Sequence, residues 1–162
     1  QGNEKVSSTR IRNLLKEGKT DALLSLLGRF YTTSGIVIHG DKRGRTIGFP
    51  TANVDLKEDY IIPPLGVYAV RMKVNNDWYN GVCNIGYKPT FNKEAVHLSV
   101  EVHLFDFNQE IYGEEVVIEW HVHLRMEQKF SGIEELVAQI ERDKQNSLKY
   151  FNKIDNLPND NY

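Results

Sequence analysis

The sequence predicts a mainly β domain, either a closed antiparallel barrel or a sandwich, followed by one long helix. From residue 33 to residue 119, short runs of β-branched and aromatic residues alternate with Gly, Pro, Asn and Asp, as in antiparallel strands joined by turns. From residue 131 to residue 151, apolar residues recur at helical spacing. With 162 residues, of which 40% are hydrophobic, the chain is long enough for one core of ordinary size.

Two short helices are expected before the strands. The first starts at Ser7 or Ser8, which are suitable N-caps, and ends at Gly18. The second spans residues 21–27. Residues 1–27 are therefore expected to be a helical segment ahead of the main domain.

Five strands are predicted in the β region. Asn75, Asn76 and Asp77 form a tight turn between two of them, because these residue types tolerate the backbone conformations of hairpin loops. The aromatic side chains occur at strand spacing and are expected to fill the core: Tyr60, Tyr68, Trp78, Phe105, Phe107 and Trp120. The predicted strands are Thr33–His39, Gly66–Asn75, Trp78–Ile85, His97–Phe107 and Glu115–Leu124.

The final helix is expected to span Ser131 to Phe151. Ser131, followed three residues later by Glu134, matches a capping box. One apolar stripe comprises Ile133, Leu136, Val137, Ile140, Leu148 and Phe151. Residues 153–162 are polar and contain a proline, so they are expected to form a disordered tail.

Composition limits the possible partners and compartment. The formal net charge of −2 is spread over mixed signs, so neither nucleic acid nor an anionic membrane is expected as a partner. Cys83 is the single cysteine, which excludes an internal disulfide and favours a reducing, cytoplasmic setting. There is no apolar run of membrane-spanning length and no signal-peptide pattern at the start. The oligomeric state stays open.

A glycine-rich basic segment, residues 40–53, is the strongest candidate for a binding site. Its sequence is GDKRGRTIGFPTAN, in which the glycines allow a ligand close to the backbone and N–H groups can point at an anion. Thr51 and Asn53 follow a fixed proline and carry oxygens suited to Mg²⁺ or phosphate. A solvated hairpin loop is an equally weighted alternative on composition alone. The candidate phosphate-binding residues are Gly40, Lys42, Gly44, Arg45, Gly48, Pro50, Thr51 and Asn53.

Glu101 is the second candidate. Strand alternation places Leu98, Val100, Val102 and Leu104 on one face, and His97, Ser99, Glu101 and His103 on the other. A carboxylate there is either a solvated group on a wet strand face or a general base held on a rigid strand.

Other chemical signatures are absent or weak. The sequence contains no GxxxxGK[ST], no GxGxxG leading into a helix, and no HRD with DFG. His121 and His123, two residues apart, are expected to point the same way and with His103 could bind zinc, but no further ligands are indicated. Arg125 either contacts a ligand or extends along the surface to solvent.

Four segments in order resemble the riboflavin kinase family. They are GDKRGRTIGFPTANV, NGVCNIGYKPTF, SVEVHLFDF and LRMEQKF before the last helix. The upstream SSTRIRNLL resembles the end of the adenylyltransferase module of bacterial bifunctional FAD synthetases, so the chain resembles the C-terminal kinase part of such a protein. The resemblance implies a kinase domain over residues 28–152, folded as a six-stranded antiparallel Greek-key β-barrel with its sixth strand near Thr51–Asp55.

By this resemblance, the chain transfers the γ-phosphoryl group of ATP to the 5′-hydroxyl of riboflavin, giving FMN and ADP with Mg²⁺ as cofactor. Thr51 and Asn53 correspond to the positions that hold Mg²⁺ and phosphates, and Glu101 corresponds to the catalytic base. Flavin binding is implied for Arg125, Glu127 and Phe130. A loop near the site is expected over residues 86–94, and Arg71 and His103 are interpreted as structural or rim residues. Lys88 departs from the family pattern, which often has arginine at that position.

Two other functions are compatible with such a barrel. A catalytically silent flavin or nucleotide sensor would be free to lose Thr51, Asn53 or Glu101, all of which are present. A barrel that binds single-stranded nucleic acid would need a basic aromatic face, which the mixed charge argues against. The enzyme is therefore the preferred interpretation.

Overall fold

The six strands form a closed antiparallel barrel. The computed structural model describes residues 30–38, 50–57, 63–89 and 96–156, together with residue 13. The strand order is β1-β2-β5-β4-β3-β6, in which β6 returns to pair with β3, so the topology is a Greek key. The elements are β1 (Tyr31–Ile38), β2 (Ala52–Leu56), β3 (Gly66–Val74), β4 (Asp77–Pro89), β5 (Val96–Leu104), β6 (Glu115–Arg125) and α1 (Ile133–Asp155). The predicted barrel is confirmed and the sandwich is excluded.

The strand boundaries differ from the predictions mainly in β4. This strand continues to Pro89 because its pairing with β5 persists through Lys88 opposite His97 and Pro89 opposite Val96. The expectation of a loop from Gly86 is therefore wrong for residues 86–89, and residues 90–94 lie outside the described part. The expected helices before residue 28 also lie outside it, apart from Asn13, which is helical.

The barrel interior is filled by aliphatic and aromatic side chains, and its two largest members, Trp120 and Tyr68, are hydrogen-bonded through their polar atoms. Trp120 Nε1 donates to Thr33 Oγ1 at 3.1 Å, and the Tyr68 hydroxyl donates to the Pro64 carbonyl at 2.6 Å. Burial raises the pKa of the Tyr68 hydroxyl and of the Cys83 thiol. These satisfied groups make the barrel a rigid support for the residues on its outer face.

The predicted aromatic core is only partly correct. Tyr68, Phe105 and Trp120 are buried and Phe107 is half-buried, whereas Tyr60 lies outside the described residues. Trp78 is 45% exposed, so its predicted core position is wrong. It pairs with Lys73, whose neighbours Met72 and Val74 point inwards, so Trp78 shares the outer face with Lys73.

Helix α1 packs on the outer face of the barrel, against β3, β4 and β6. Its buried positions are Gln139, Asp143, Ser147 and Phe151, which are spaced by four residues and so lie on one face. Three of the four are polar. Ser147 Oγ donates to the Gly81 carbonyl at 3.1 Å. Ile133, placed in the predicted apolar stripe, is 66% exposed. The apolar periodicity therefore predicted the helix and its buried Phe151, but not the polar residues of the buried face.

Both ends of α1 differ from the prediction. Gly132 is the N-cap and makes no side-chain capping bond. Ser131 donates from its backbone N–H and its hydroxyl to Glu135 Oε2, which lowers the pKa of that carboxyl, so the predicted capping box with Glu134 is wrong. The helix continues to Asp155, so the expected disordered tail from residue 153 begins too early; residues 157–162 lie outside the described part.

The C-terminal half of α1 is held by Arg71 on β3. Its guanidinium donates to Asn80 Oδ1 at 2.9 Å and to Asp155 Oδ1 at 2.6 Å, and it lies 4.8 Å from the centre of the Phe151 ring. These contacts agree with the structural role expected for Arg71.

Candidate active site

A row of polar side chains crosses three strands on the outer face of the barrel. On β5, Val100 and Val102 point into the core, so Glu101 between them points outwards and is half-buried. Glu101 pairs with Asn53 of β2 on one side and with Asn84 of β4 on the other. The predicted base is therefore a direct cross-strand neighbour of one of the predicted Mg²⁺ and phosphate residues.

Residues Pro50 and Thr51 lie immediately before β2. The β2–β5 pairing among the described residues consists of Ala52 with Val102 and Asn53 with Glu101. Beyond it, His103 Nδ1 lies 3.0 Å from the Pro50 carbonyl oxygen. Burial lowers the pKa of the His103 imidazole. Pro50, at the start of the Pro50–Asn53 segment, is thus attached to β5 by the His103 side chain rather than by backbone pairing of the strands.

A cavity of about 600 Å³ opens beside this segment. Its walls come from the end of β1, the start of β2, two residues of β5 and the chain that follows β5. The lining residues are Val37, Ile38, Pro50, Thr51, Ala52, Asn53, Val102, Leu104, Phe107, Asn108, Gln109, Glu110, Ile111 and Tyr112. Glu101 does not line it, so Asn53 is where the cavity and the polar row meet.

The loop after β5 is a fixed wall of the cavity. Asp106 and Gly113 have positive φ angles of 54° and 83°, which turn the chain at either end. Val37 N donates to the Glu114 carbonyl at 3.0 Å, and Gly113 N donates to the Val37 carbonyl at 2.8 Å. The loop is therefore tied to β1 across the mouth of the barrel.

Sequence reasoning missed residues 107–112 as a possible binding wall. The available signal was weak: an aromatic residue, Tyr112, in a polar loop directly before a glycine. Its side chain is 55% exposed at the edge of the cavity. An exposed aromatic beside a glycine turn is a common loop feature, so composition alone did not distinguish it.

Arg125, an expected flavin residue, is engaged with α1. Its Nε and Nη2 donate to the two carboxylate oxygens of Asp143, each at 2.8 Å, and its Nη1 donates to the Met126 carbonyl at 3.1 Å. The Phe130 ring centre lies 5.9 Å from the guanidinium carbon. Asp143 also accepts from Gln139 Nε2 at 2.9 Å. Arg125 therefore holds the segment that carries Glu127 and Phe130 against the helix.

Glu127 lies on the same outer surface as the polar row. A methyl group added to Gly86 would overlap the Glu127 carboxylate, so that carboxylate rests on the Gly86 backbone. Gly86 pairs with Ser99, two residues before Glu101 on β5. Two residues of a strand span about 7 Å, so Glu127 and Glu101 face one stretch of surface.

The sequence matches the family model for riboflavin kinase over residues 27–151. The chain belongs to the riboflavin kinase family. It is 58% identical over 152 residues to the bifunctional riboflavin kinase/FMN adenylyltransferase of Bacillus subtilis, covering 93% of this chain and 48% of the relative. The Listeria monocytogenes protein of the same name is 53% identical, with coverages of 94% and 48%. The chain thus spans about half the length of the curated relatives it matches.

Solved structures agree with this riboflavin kinase fold. Riboflavin kinase from Trypanosoma brucei matches with a TM-score of 0.55 and 25% identity, over 75% of this chain and 80% of that one. A Streptococcus pneumoniae structure that carries the name macrolide-efflux protein matches with a TM-score of 0.83 and 37% identity, over 91% of this chain and 48% of that one. In the described part of this chain, no helix has the length and apolar character needed to cross a membrane.

The zinc hypothesis is not supported by the riboflavin kinase barrel. The register of β6 on β3 shifts between Ala69 and Val70, a β-bulge that turns His121 and His123 to different sides. His121 lies under α1, between Tyr150 Oη at 2.8 Å and Glu119 Oε1 at 2.7 Å, whereas the His123 ring packs on Tyr68. The expectation that the two point the same way is wrong. The described residues contain no group of three or more His, Cys, Asp or Glu able to hold a metal.

Part of the expected phosphate site lies outside the described residues. These positions are Gly40, Lys42, Gly44, Arg45 and Gly48. The remaining three expected phosphate residues, Pro50, Thr51 and Asn53, lie together on the cavity wall.

Proposed function

We propose that this chain transfers the γ-phosphoryl group of ATP to the 5′-hydroxyl of riboflavin, forming FMN and ADP. The observation that carries the proposal is the direct pairing of Asn53 with Glu101, at the edge of a cavity that Thr51 and Asn53 line. A phosphate-binding side chain and a candidate base in register fit transfer to a hydroxyl acceptor. Membership of the riboflavin kinase family supports riboflavin as that acceptor.

In this proposal ATP occupies the cavity. A volume of about 600 Å³ falls within the range of small-molecule sites, which is about 300–1,000 Å³. Val102, Leu104 and Ile111 give part of the wall an apolar surface suited to a purine base. The phosphates extend to Thr51 and Asn53, and we propose that Gly40, Lys42, Gly44, Arg45 and Gly48 also bind them.

The donor set fits a magnesium ion held jointly with the nucleotide. Thr51 and Asn53 offer a hydroxyl and an amide oxygen, and the described residues contain no carboxylate cluster that would hold a cation alone. Mg²⁺ usually keeps several waters and takes few protein ligands beside substrate phosphates. When bound it neutralises phosphate charge, and the chain's own task is then to position the two substrates.

Glu101 acts as the general base in the proposed step. Its carboxylate accepts the proton of the riboflavin 5′-hydroxyl as that oxygen forms a bond to the γ-phosphorus. The bond between the γ-phosphorus and the bridging oxygen breaks, and its electron pair leaves with ADP. A positioned base of this kind contributes about 10²- to 10⁴-fold in rate.

We place riboflavin on the outer face between Glu101 and the segment after β6. Glu127 rests on Gly86 of β4, and the Arg125–Asp143 pair fixes the same segment to α1. Phe130, within 5.9 Å of the guanidinium, offers a ring for stacking. These contacts support flavin binding by Arg125, Glu127 and Phe130, with Arg125 acting at least partly through its neighbours.

The names of the bacterial relatives extend the proposal to a longer protein. Since this chain spans 48% of the Bacillus subtilis bifunctional riboflavin kinase/FMN adenylyltransferase, we propose that its FMN is passed to an adenylyltransferase half that makes FAD. A single buried cysteine and dependence on ATP favour the cytoplasm as the location.

One assay tests the proposed reaction. The purified chain is incubated with riboflavin, Mg²⁺ and ATP, and FMN is followed by chromatography. FMN formation supports the proposal. If riboflavin and Mg·ADP raise the melting temperature but no FMN forms with any divalent metal, the chain is a binding module and the proposed reaction is wrong.

A further inference from the structure

We propose that His103 is a positioning residue that holds Pro50 and Thr51 in the place the nucleotide phosphates require. This inference rests on the proposed function, because Thr51 matters as a phosphate-side residue only if ATP binds there. It goes beyond the riboflavin kinase assignment by giving His103 a specific task and a specific nitrogen. The geometric basis is the 3.0 Å distance between His103 Nδ1 and the Pro50 carbonyl oxygen.

The chemistry of this contact fixes the direction of the hydrogen bond. A carbonyl oxygen can only accept, so the proton lies on Nδ1 and His103 donates. Both the neutral ring with that tautomer and the imidazolium carry a proton on Nδ1, so the bond does not require a charged histidine. An asparagine amide nitrogen occupies nearly the same position relative to Cβ, whereas leucine has similar size and no donor.

The segment needs such a tether because the ladder beside it is short. Among the described residues, β2 joins β5 through Ala52 with Val102 and Asn53 with Glu101. Pro50 has no N–H and Thr51 lies outside the strand, so neither continues the pairing. The contact from His103 therefore extends the attachment of β2 by two residues, back to Pro50.

The His103 ring is itself held in place. Its edge packs on the Phe105 ring, with centroids 5.7 Å apart, and Lys144 of α1 lies 5.9 Å from the centre of that same ring. The charges of two α1 residues also reach the imidazole: Lys144 disfavours its protonated form, and Glu141 favours it. Because the His103 side chain is fixed by β5 and by the residues packed around it, it can hold the Pro50 carbonyl in a fixed position.

The test compares His103→Asn with His103→Leu. The first readout is amide hydrogen exchange of Ala52 and Asn53, the first residues of β2, in the ligand-free protein. The second is steady-state kinetics with ATP and riboflavin varied separately. For His103→Leu we expect faster exchange at these amides and a fall in kcat/KM for ATP, each by about 2- to 13-fold, the net effect of one hydrogen bond. The KM for riboflavin should change little, and His103→Asn should resemble the native chain.

Each other outcome overturns the inference. If His103→Leu matches the native chain in both readouts, or if His103→Asn fails as the leucine variant does, donation from the δ position is not what holds Pro50. Should the leucine variant not fold, His103→Asp replaces it, since its δ oxygen can only repel the Pro50 carbonyl and must show faster exchange than His103→Asn. Because exchange needs no turnover, absence of FMN from the native chain would defeat the proposed function while the role of His103 is still measured.

Discussion

The Arg125–Asp143 pair is expected to hold the segment after β6 on the helix, and removing its acid should weaken the fold. Asp143 is nearly buried, with 5% of its side chain exposed, while Arg125 is 19% exposed. Asp143→Ala deletes the acceptor of both guanidinium bonds and of the bond from Gln139. Three donors then lose their partner at once.

The size of the effect follows from burial. Removing one partner of a buried ion pair costs about 3–5 kcal/mol, because the other charge stays behind without compensation. Arg125 can reach water and keeps its bond to the Met126 carbonyl, so we expect the lower end, about 3 kcal/mol. For a domain of this size, that corresponds to a fall in melting temperature of about 6–12 °C.

The assay is thermal unfolding of a double-mutant cycle with Asp143→Leu, Arg125→Met and the double variant. Replacing both partners by apolar side chains leaves no buried charge, so the double variant should regain most of the stability lost by Asp143→Leu. Its KM for riboflavin then shows whether Arg125 also contacts the flavin directly. Strictly additive losses, or a change below about 2 °C for Asp143→Ala, would refute the reasoning.

Two further predictions concern His121 and Gly86. Burial lowers the pKa of His121, so the unfolded chain binds the proton more readily and stability should decrease as pH falls below about 6.5. His103 contributes in the same direction, so His121→Phe should reduce the fall in melting temperature between about pH 7.5 and 5.5 without abolishing it. An unchanged slope would contradict this. Gly86→Ala should push the flexible Glu127 carboxylate aside. The KM for riboflavin should then rise several-fold, with little change in melting temperature. An unaltered KM would remove Glu127 from the proposed flavin site.

Regular strand patterns could be predicted from the sequence because burial repeats with the pleat. The alternation over residues 98–104 correctly assigned Val100, Val102 and Leu104 to the core and Glu101 to the outside. It could not show that Asn53 lies opposite Glu101, since β2 and β5 are far apart in the chain and their pairing depends on the Greek-key connection. The short strand β2 was expected only through the family resemblance.

The errors arose where a local irregularity or a polar contact overrides periodicity. The bulge beside Val70 reverses the side to which His121 points relative to His123, and a one-residue insertion of this kind leaves no mark in composition. The polar positions on the buried face of α1 were not predicted, because the partners of Asp143 and Ser147, Arg125 and Gly81, lie on other elements. Such positions become visible only when both ends of the bond are known.

The central claim, that Glu101 beside Asn53 forms the catalytic centre of a riboflavin kinase, is tested most directly by the turnover of Glu101→Gln. We expect the native chain to form FMN and the variant to lose about 10²- to 10⁴-fold in kcat, while Mg·ADP raises the melting temperature of both equally. Glu115→Gln, at an exposed strand carboxylate, serves as the matched control and should keep native turnover. Native kcat in Glu101→Gln would contradict the account.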